Sequence, residues 1–389
     1  MIFYLFSVNF YLINFIFLNW KIFILVIRLR FIDLFCGCGG FSRGFVEEGF
    51  EPLVAIELDE DAAFSYALNF NGEIYEKVRD GEYRLKELKG YVGSYPFKFP
   101  FEDKDIKWLR RLGTLNEKTE KLKPIVINDD IREIHSLDIK KFCKNKKVDV
   151  IIGGPPCEGY TGANPKREKN PYDRLYKDET GRLVLEFIRI VGDLQPKIFV
   201  MENVPGIKEV RGEIIKEFRN VGYEDVYFNI LRAEDYGNPS VRRRVFVSNI
   251  EINPEKKEPK TVIEAIGDLM YKGRDIPNHE FAALPARFRK RVHKLSWGDA
   301  FIYFKGANRR LGNYIRLHPL KLSETVMGKR FFIHPYEDRL LTPREQARLM
   351  SYPDYHLFAG GIRSSYNQIG ESVPVALSRA IAQVVKENL

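Results

Sequence analysis

Short apolar runs alternate with stretches of helical periodicity from Arg30 onward. The runs at 30–35 (RFIDLF), 52–58 (PLVAIEL), 124–129 (PIVIND), 148–152 (VDVII), 197–201 (KIFVM), 224–231 (EDVYFNIL) and 243–250 (RRVFVSNI) read as strands. The most apolar of them fit strands buried on both faces, as in parallel sheets. Among the intervening stretches, Leu183, Val184, Phe187, Ile188 and Val191 share one helical face, and 41–49, 61–69, 213–220 and 375–388 are further helices. This βαβα order predicts an α/β fold built on a doubly wound parallel sheet. Two segments break the rhythm. Residues 71–123, rich in Lys, Glu, Tyr and Gly, read as a surface insertion between sheet elements, and 254–330, Pro-punctuated and basic, as a second small domain. The expected division is an extension (1–27), a principal domain (28–250), a small domain (251–333) and a segment returning to the principal domain (334–389). Residues 1–20 carry no charge and are followed by Lys21, Arg28 and Arg30. They fit either a loosely attached or misassigned start or a membrane anchor, with Asn9, Asn14 and Asn19 weakening a spanning helix.

Polar residues collect where the strands stop. After 148–152 come Gly153-Gly154-Pro155-Pro156-Cys157, and the prolines force the chain out of the sheet. Cys157 is thereby placed at the edge where open α/β sheets bind ligands, as a candidate nucleophile. Phe35, Gly37, Gly39 and Gly40 form the first strand-to-helix turn, where backbone can approach a ligand or simply turn tightly. Glu57 ends the second strand, suiting an acceptor of ribose hydroxyls, and Asp130 follows 124–129, suiting an adenine amino group. Each also reads as a helix-capping or surface carboxylate. Glu202-Asn203 follow 197–201 on the edge shared with Cys157, either as a cap for the next helix or as a carboxyl serving the thiol. Arg242, Arg243 and Arg244 precede 245–249, as a solvated cluster or as ligands for carbonyl and phosphate groups.

Composition narrows the class. Hydrophobic residues make up 44% and charged residues 30%, as in soluble globular proteins. The four cysteines, Cys36, Cys38, Cys143 and Cys157, are too few for a disulfide framework and form no C-x-x-C pair, so no metal is expected and a reducing cytoplasm fits. The net charge of +9 is local: between Phe281 and Arg330 twelve Lys and Arg face two acids, Asp299 and Glu324. Phe288, Trp297, Phe301, Tyr303, Phe304 and Tyr314 interleave with them. That window alone holds the chain's whole positive excess, which suggests a polyanion surface.

The motifs DLFCGCGGFSRGF, GGPPCEGY, MENVPG, YGNPSVRRRVFV, RLLTPREQARLMSYPD and IGESVPVALSRAIA, in this order, resemble the DNA cytosine-5 methyltransferase family from about Arg30 to the C-terminus. The resemblance implies a Rossmann-like S-adenosylmethionine-dependent methyltransferase domain with a small basic target-recognition domain in 251–333. It implies Cys157 as the nucleophile at cytosine C6, Glu202 at N3, Asn203 as a positioning residue, and Arg244 with Arg242 at the base carbonyl or ordering the loop. For S-adenosylmethionine it implies Phe35, Gly37 and Gly39 around the methionine part, Glu57 at the ribose, Asp130 and Ile131 at the adenine, and Pro156 as a further cofactor contact. Ser372 and Val373 would close the pocket, and Thr325-Val326 resembles an element near the end of the recognition domain. The implied partner is double-stranded DNA, bound by a monomer, with a restriction endonuclease acting separately in a restriction-modification system.

The chain departs from the family pattern at Glu158 and Ser240, where glutamine is usual, at Thr161 for serine, and at Glu371 for asparagine. Glu371 receives no role. The rival readings are a tRNA cytosine-5 methyltransferase, whose Cys-Phe-Thr element is absent, and a catalytically silent DNA-binding regulator, against which intact Cys157, Glu202, Asn203 and Arg244 stand.

Overall fold

The computed structural model describes residues 28–389 except 145, 272–275 and 307–309, so the extension 1–27 and its anchor reading lie outside the described residues. The strands are β1 (Arg30–Leu34), β2 (Glu51–Ile56), β3 (Glu73–Arg79), β4 (Glu82–Leu85), β5 (Leu88–Val92), β6 (Tyr95–Phe99), β7 (Ile125–Ile127), β8 (Val150–Gly153), β9 (Ile198–Asn203), β10 (Tyr227–Arg232), β11 (Arg243–Ser248), β12 (Ala300–Lys305), β13 (Arg310–Arg316) and β14 (Phe332–Ile333). A nine-stranded sheet has the order β10-β11-β9-β8-β1-β2-β7-β3-β4. From β9 to β3 its neighbours pair in parallel. Side chains alternate across it: Phe31 and Ile152 enter one core cluster, Ile32 and Ile151 the other. Both faces are therefore covered along the central strands, which is why β8 and the middle of β2 and β9 are apolar on both sides. Each fully buried aliphatic side chain here contributes about 2 kcal/mol.

The sheet is mixed, where the apolar pattern predicts a parallel one. β11 pairs antiparallel with β9 and β10, and β4 antiparallel with β3. Strand direction depends on the connection, and the turn between β10 and β11 is short enough to reverse the chain. The stretch 71–123 carries more structure than its composition suggests. β3 and β4 extend the sheet, and Phe97, Phe99 and Leu109 join the core that contains Phe45 and Phe70.

β12, β13 and β14 form a separate small sheet. Its cluster includes Leu284, Phe288, Val292 and Ile333, with Phe301 and Tyr314 packed against it. Phe288 and Phe301 stack with centroids 4.4 Å apart. Of the interleaved aromatics Phe288 is thus core and Phe301 and Tyr314 pack half-buried against it, while Trp297 and Tyr303 are exposed. Arg316 and Arg330 are buried as well. Arg316 donates to the carbonyls of Val292 and His334, so it serves the fold rather than a polyanion. The C-terminal helix Val375–Glu387 packs beside Gly40–Glu47, where Ser378 Oγ donates to the carbonyl of Phe41. Among the described residues no helix is long and apolar enough to cross a membrane.

Candidate active site

Register brings the strand ends level. Leu34 lies opposite Ile56 and Gly153, Gly153 opposite Met201, and Ile56 opposite Ile127. The residues that follow, Phe35, Glu57, the Gly154–Cys157 loop and Glu202, therefore emerge along one edge. Antiparallel β11 contributes its amino end there, since Val245 pairs with Asn203 and Phe246 with Glu202. That pairing sets Arg244 beside Glu202, with Arg244 Nε 2.8 Å from Glu202 Oε1. A parallel β11 would have carried its arginines to the opposite edge.

A cleft of about 1970 Å³ opens at this edge. Phe35, Gly37, Glu57, Asp130, Ile131, Pro156, Cys157, Glu202, Arg242, Arg244, Ser372 and Val373 all line it. Cys157 is half-buried, and burial pushes its thiol up to about 11, with Arg244 pulling the other way and Glu158 and Glu202 adding to the rise. The thiol is consequently protonated in the free protein at neutral pH.

Two predicted residues act from behind the cleft wall. Asn203 is fully buried and ends β9 instead of capping the next helix. Its Nδ2 donates to the carbonyl of Pro155 at 3.2 Å, and its Oδ1 accepts from the amide of Val204. It ties the Pro-Pro-Cys loop to β9. Gly39 has φ of 90° and caps Gly40–Glu47; a Cβ there would lie 2.4 Å from the Phe70 ring. Its place is in the turn, not on the ligand surface. Gly37, with φ of 53°, has open space where its Cβ would be.

Glu57 accepts from the amides of Gly37 at 2.8 Å and Asp59 at 2.9 Å, while burial raises its pKa. Its orientation is thus fixed by backbone. Asp130 caps the turn Ile131–Glu133 by accepting from the Arg132 amide, and it binds the Arg132 guanidinium, which holds its carboxyl low. These hydrogen bonds give its capping reading direct support. Arg242 is buried, and burial with Arg244 nearby lowers its pKa to about 9. It donates to the carbonyls of Val326 and Gly370, so it clamps the small sheet's last loop and the returning C-terminal segment together. Thr325 Oγ1 donates to the carbonyl of Val241 in the same seam, and Ser240 Oγ to that of Leu349.

Lys329, one of the cations of the basic window, also lines the cleft, as do Arg363 and Asn367, which escaped the sequence reading. Arg363, Asn367, Gly370 and Glu371 recur at helical spacing on Ile362–Glu371, and that polar stripe is the signal that marks them. Among the described residues no cluster of His, Cys, Asp or Glu could hold a metal ion.

The model of the family described as C-5 cytosine-specific DNA methylase matches residues 29–96 and 117–387. M.MjaORF1200P, a Methanocaldococcus jannaschii chain assigned to the type II methyltransferases, is 91% identical over 365 residues, 94% of this chain and 100% of that one. The type II methyltransferase M1.HphI of Haemophilus parahaemolyticus is 30% identical, with 94% of this chain and 88% of the relative covered. An Escherichia coli prophage chain assigned as a DNA modification methyltransferase superposes with a TM-score of 0.63 at 24% identity, covering 93% of this chain and 99% of its own, a likeness of fold.

Proposed function

The chain belongs to the C-5 cytosine-specific DNA methylase family, and on that footing we propose that it methylates C5 of a flipped cytosine in duplex DNA through a bond from Cys157 to C6. The observation that carries this reading is the meeting of Cys157, the Glu202–Arg244 pair and the glycine turn in one cleft.

Cytosine C5 is too weakly nucleophilic to accept a methyl group unaided. Addition of the Cys157 thiolate to C6 pushes electron density onto C5 and N3. Glu202 holds a proton at N3 as that charge develops, and Arg244 steadies the Glu202 carboxyl and meets the base carbonyl. S-adenosylmethionine, when bound, supplies the sulfonium methyl that C5 accepts. Loss of the C5 proton then expels the Cys157 thiolate and restores the aromatic ring. Asn203 keeps the thiol loop in register with β9 throughout. A target atom inside a duplex demands extrusion of the base into the cleft.

The residues suit the cofactor. The open space at Gly37 admits a ligand against backbone, and the Glu57 carboxylate is presented by two amides at the cleft wall. Phe35, Pro156 and Ile131 would supply apolar contacts, Asp130 an adenine acceptor, and Ser372 and Val373 the closing wall. The type II names of the relatives support a further assignment to the modification half of a restriction-modification system. The small basic sheet would then read the site, with phosphates supplying affinity and groove contacts sequence.

The test is to incubate the protein and methyl-labelled S-adenosylmethionine with duplex DNA and tRNA together, then map the modified cytosines. Duplex DNA gains 5-methylcytosine at one short motif, and Cys157→Ala abolishes it. Label confined to tRNA, or persisting in the alanine variant, contradicts the reading.

A further inference from the structure

Two segments far apart in the chain touch at the cleft wall. The helix Ile362–Glu371 crosses the backbone of Met327 and Gly328 so closely that a Cβ on Gly370 would lie 2.0 Å from the Gly328 nitrogen. A Cβ on Gly328 would lie 2.3 Å from Asn367 Oδ1. Side chains at either glycine would force the segments apart. Arg242 fastens the same crossing through its bonds to the carbonyls of Val326 and Gly370. Lys329 is the next residue after this crossing, and Arg363 lies one turn before Asn367 on the same helix face. Both cations line the cleft, and their exposure puts them at its mouth.

The neighbouring Arg330 is engaged by the fold, donating to the carbonyls of Gly312 and Thr325. Arg363 and Lys329 are not. Among the described residues neither side chain has an ion pair or a hydrogen bond. Acids line the cleft as well, among them Asp61 and Glu371, but neither cation pairs with one. Glu371, the single acid on the helix, lies about 12 Å from Arg363 along the axis.

A flipped nucleotide swings about its own backbone, so the base enters the pocket while its phosphates stay at the mouth. Two uncompensated cations brought there from separate segments suit the oxygens of a phosphate. We propose that Arg363 and Lys329 together hold one phosphate flanking the extruded cytosine. This rests on the base-flipping reading above and deepens it. The contact adds the helix Ile362–Glu371, outside the basic window, to the DNA-binding surface. A phosphate bound by both residues also braces the small sheet's last loop against that helix while the base is out of the stack.

The experiment uses duplexes of the mapped target carrying one methylphosphonate, which lacks the phosphate's charge. It is placed at the linkage 5′ or 3′ of the target cytosine, or at a remote linkage near the duplex end, and affinity is read by anisotropy at one salt concentration. Wild type loses roughly tenfold at one of the two flanking linkages. Arg363→Gln and Lys329→Gln each bind the unmodified duplex several-fold more weakly and no longer respond to that linkage. Arg363→Lys retains the response, and the remote methylphosphonate affects wild type and variants alike. Calorimetric binding of S-adenosylmethionine by the glutamine variants shows that their cleft is folded. Variants that lose as much as wild type at both flanking linkages overturn the inference while leaving base flipping intact. A wild type that does not distinguish the flanking linkages from the remote one overturns it too. Failure of wild type to bind duplex DNA overturns the inference and the functional reading together.

Discussion

At the scale of single residues, the thiol is the group whose state most limits the chemistry. Cys157 at about 11 is protonated in the resting protein, held there mainly by burial and partly by Glu158 and Glu202. Arg244 opposes that rise and at the same time pairs with Glu202. Iodoacetamide labelling of Cys157 should therefore accelerate with pH about tenfold per unit and level off near pH 11, since only the thiolate reacts. Arg244→Met removes the cation and moves the midpoint higher. A midpoint at or below an ordinary thiol's would mean that the free enzyme already holds an activated nucleophile. The sequence placed Cys157 by a simple rule, because two prolines must end a strand. Asn203's bond to the Pro155 carbonyl joins residues 48 positions apart, and no local pattern encodes it.

At the scale of elements, the first turn separates two uses of glycine. Gly39 faces the Phe70 ring and Gly37 faces the open cleft, although both have positive φ. Gly39→Ala should lower stability by about 2 kcal/mol, through strain and the Phe70 clash, as read in a urea melt. Gly37→Ala should cost about 1 kcal/mol in the same melt but weaken S-adenosylmethionine binding disproportionately. Equal effects of both on binding would refute the division. The spacing of glycines marks a turn, but which one meets a ligand depends on the helix Glu60–Phe70 behind it. Strand order shows the same limit. Buried strands β1, β8 and β9 are legible as largely apolar runs, whereas β3 and the edge strand β4 mix charge with aromatics and resemble loop. The antiparallel sense of β11, which delivers Arg244 to Glu202, is set by its pairing rather than by its composition.

At the scale of the whole molecule, the cleft joins the large sheet to the small basic one, and Arg242 is clamped between them. Concentration of positive charge was legible from the sequence, but its division was not, because burial removes Arg316 and Arg330 from solvent while leaving Lys305 and Arg310 exposed. Lys305 and Arg310 pair across the β12–β13 ladder, and the Arg310 guanidinium lies 6.0 Å from the Tyr303 ring centroid. Replacing both with Gln should reduce the salt dependence of duplex binding by about 0.9 per residue in log Kd against log salt, measured by anisotropy. An unchanged slope would place the phosphate contacts elsewhere. The central claim joins both halves of the cleft on one base: Cys157 attacks C6 of a cytosine drawn out of duplex DNA. The most direct measurement uses duplex DNA carrying 5-fluorocytosine at the mapped target with S-adenosylmethionine. Fluorine on C5 leaves no proton to remove, so the thiol cannot be expelled after methyl transfer. Peptide mass spectrometry should find the methylated base bound to the peptide containing Cys157. Methyl transfer to the unsubstituted site with no trapped adduct, or an adduct on Cys36, Cys38 or Cys143, would contradict it.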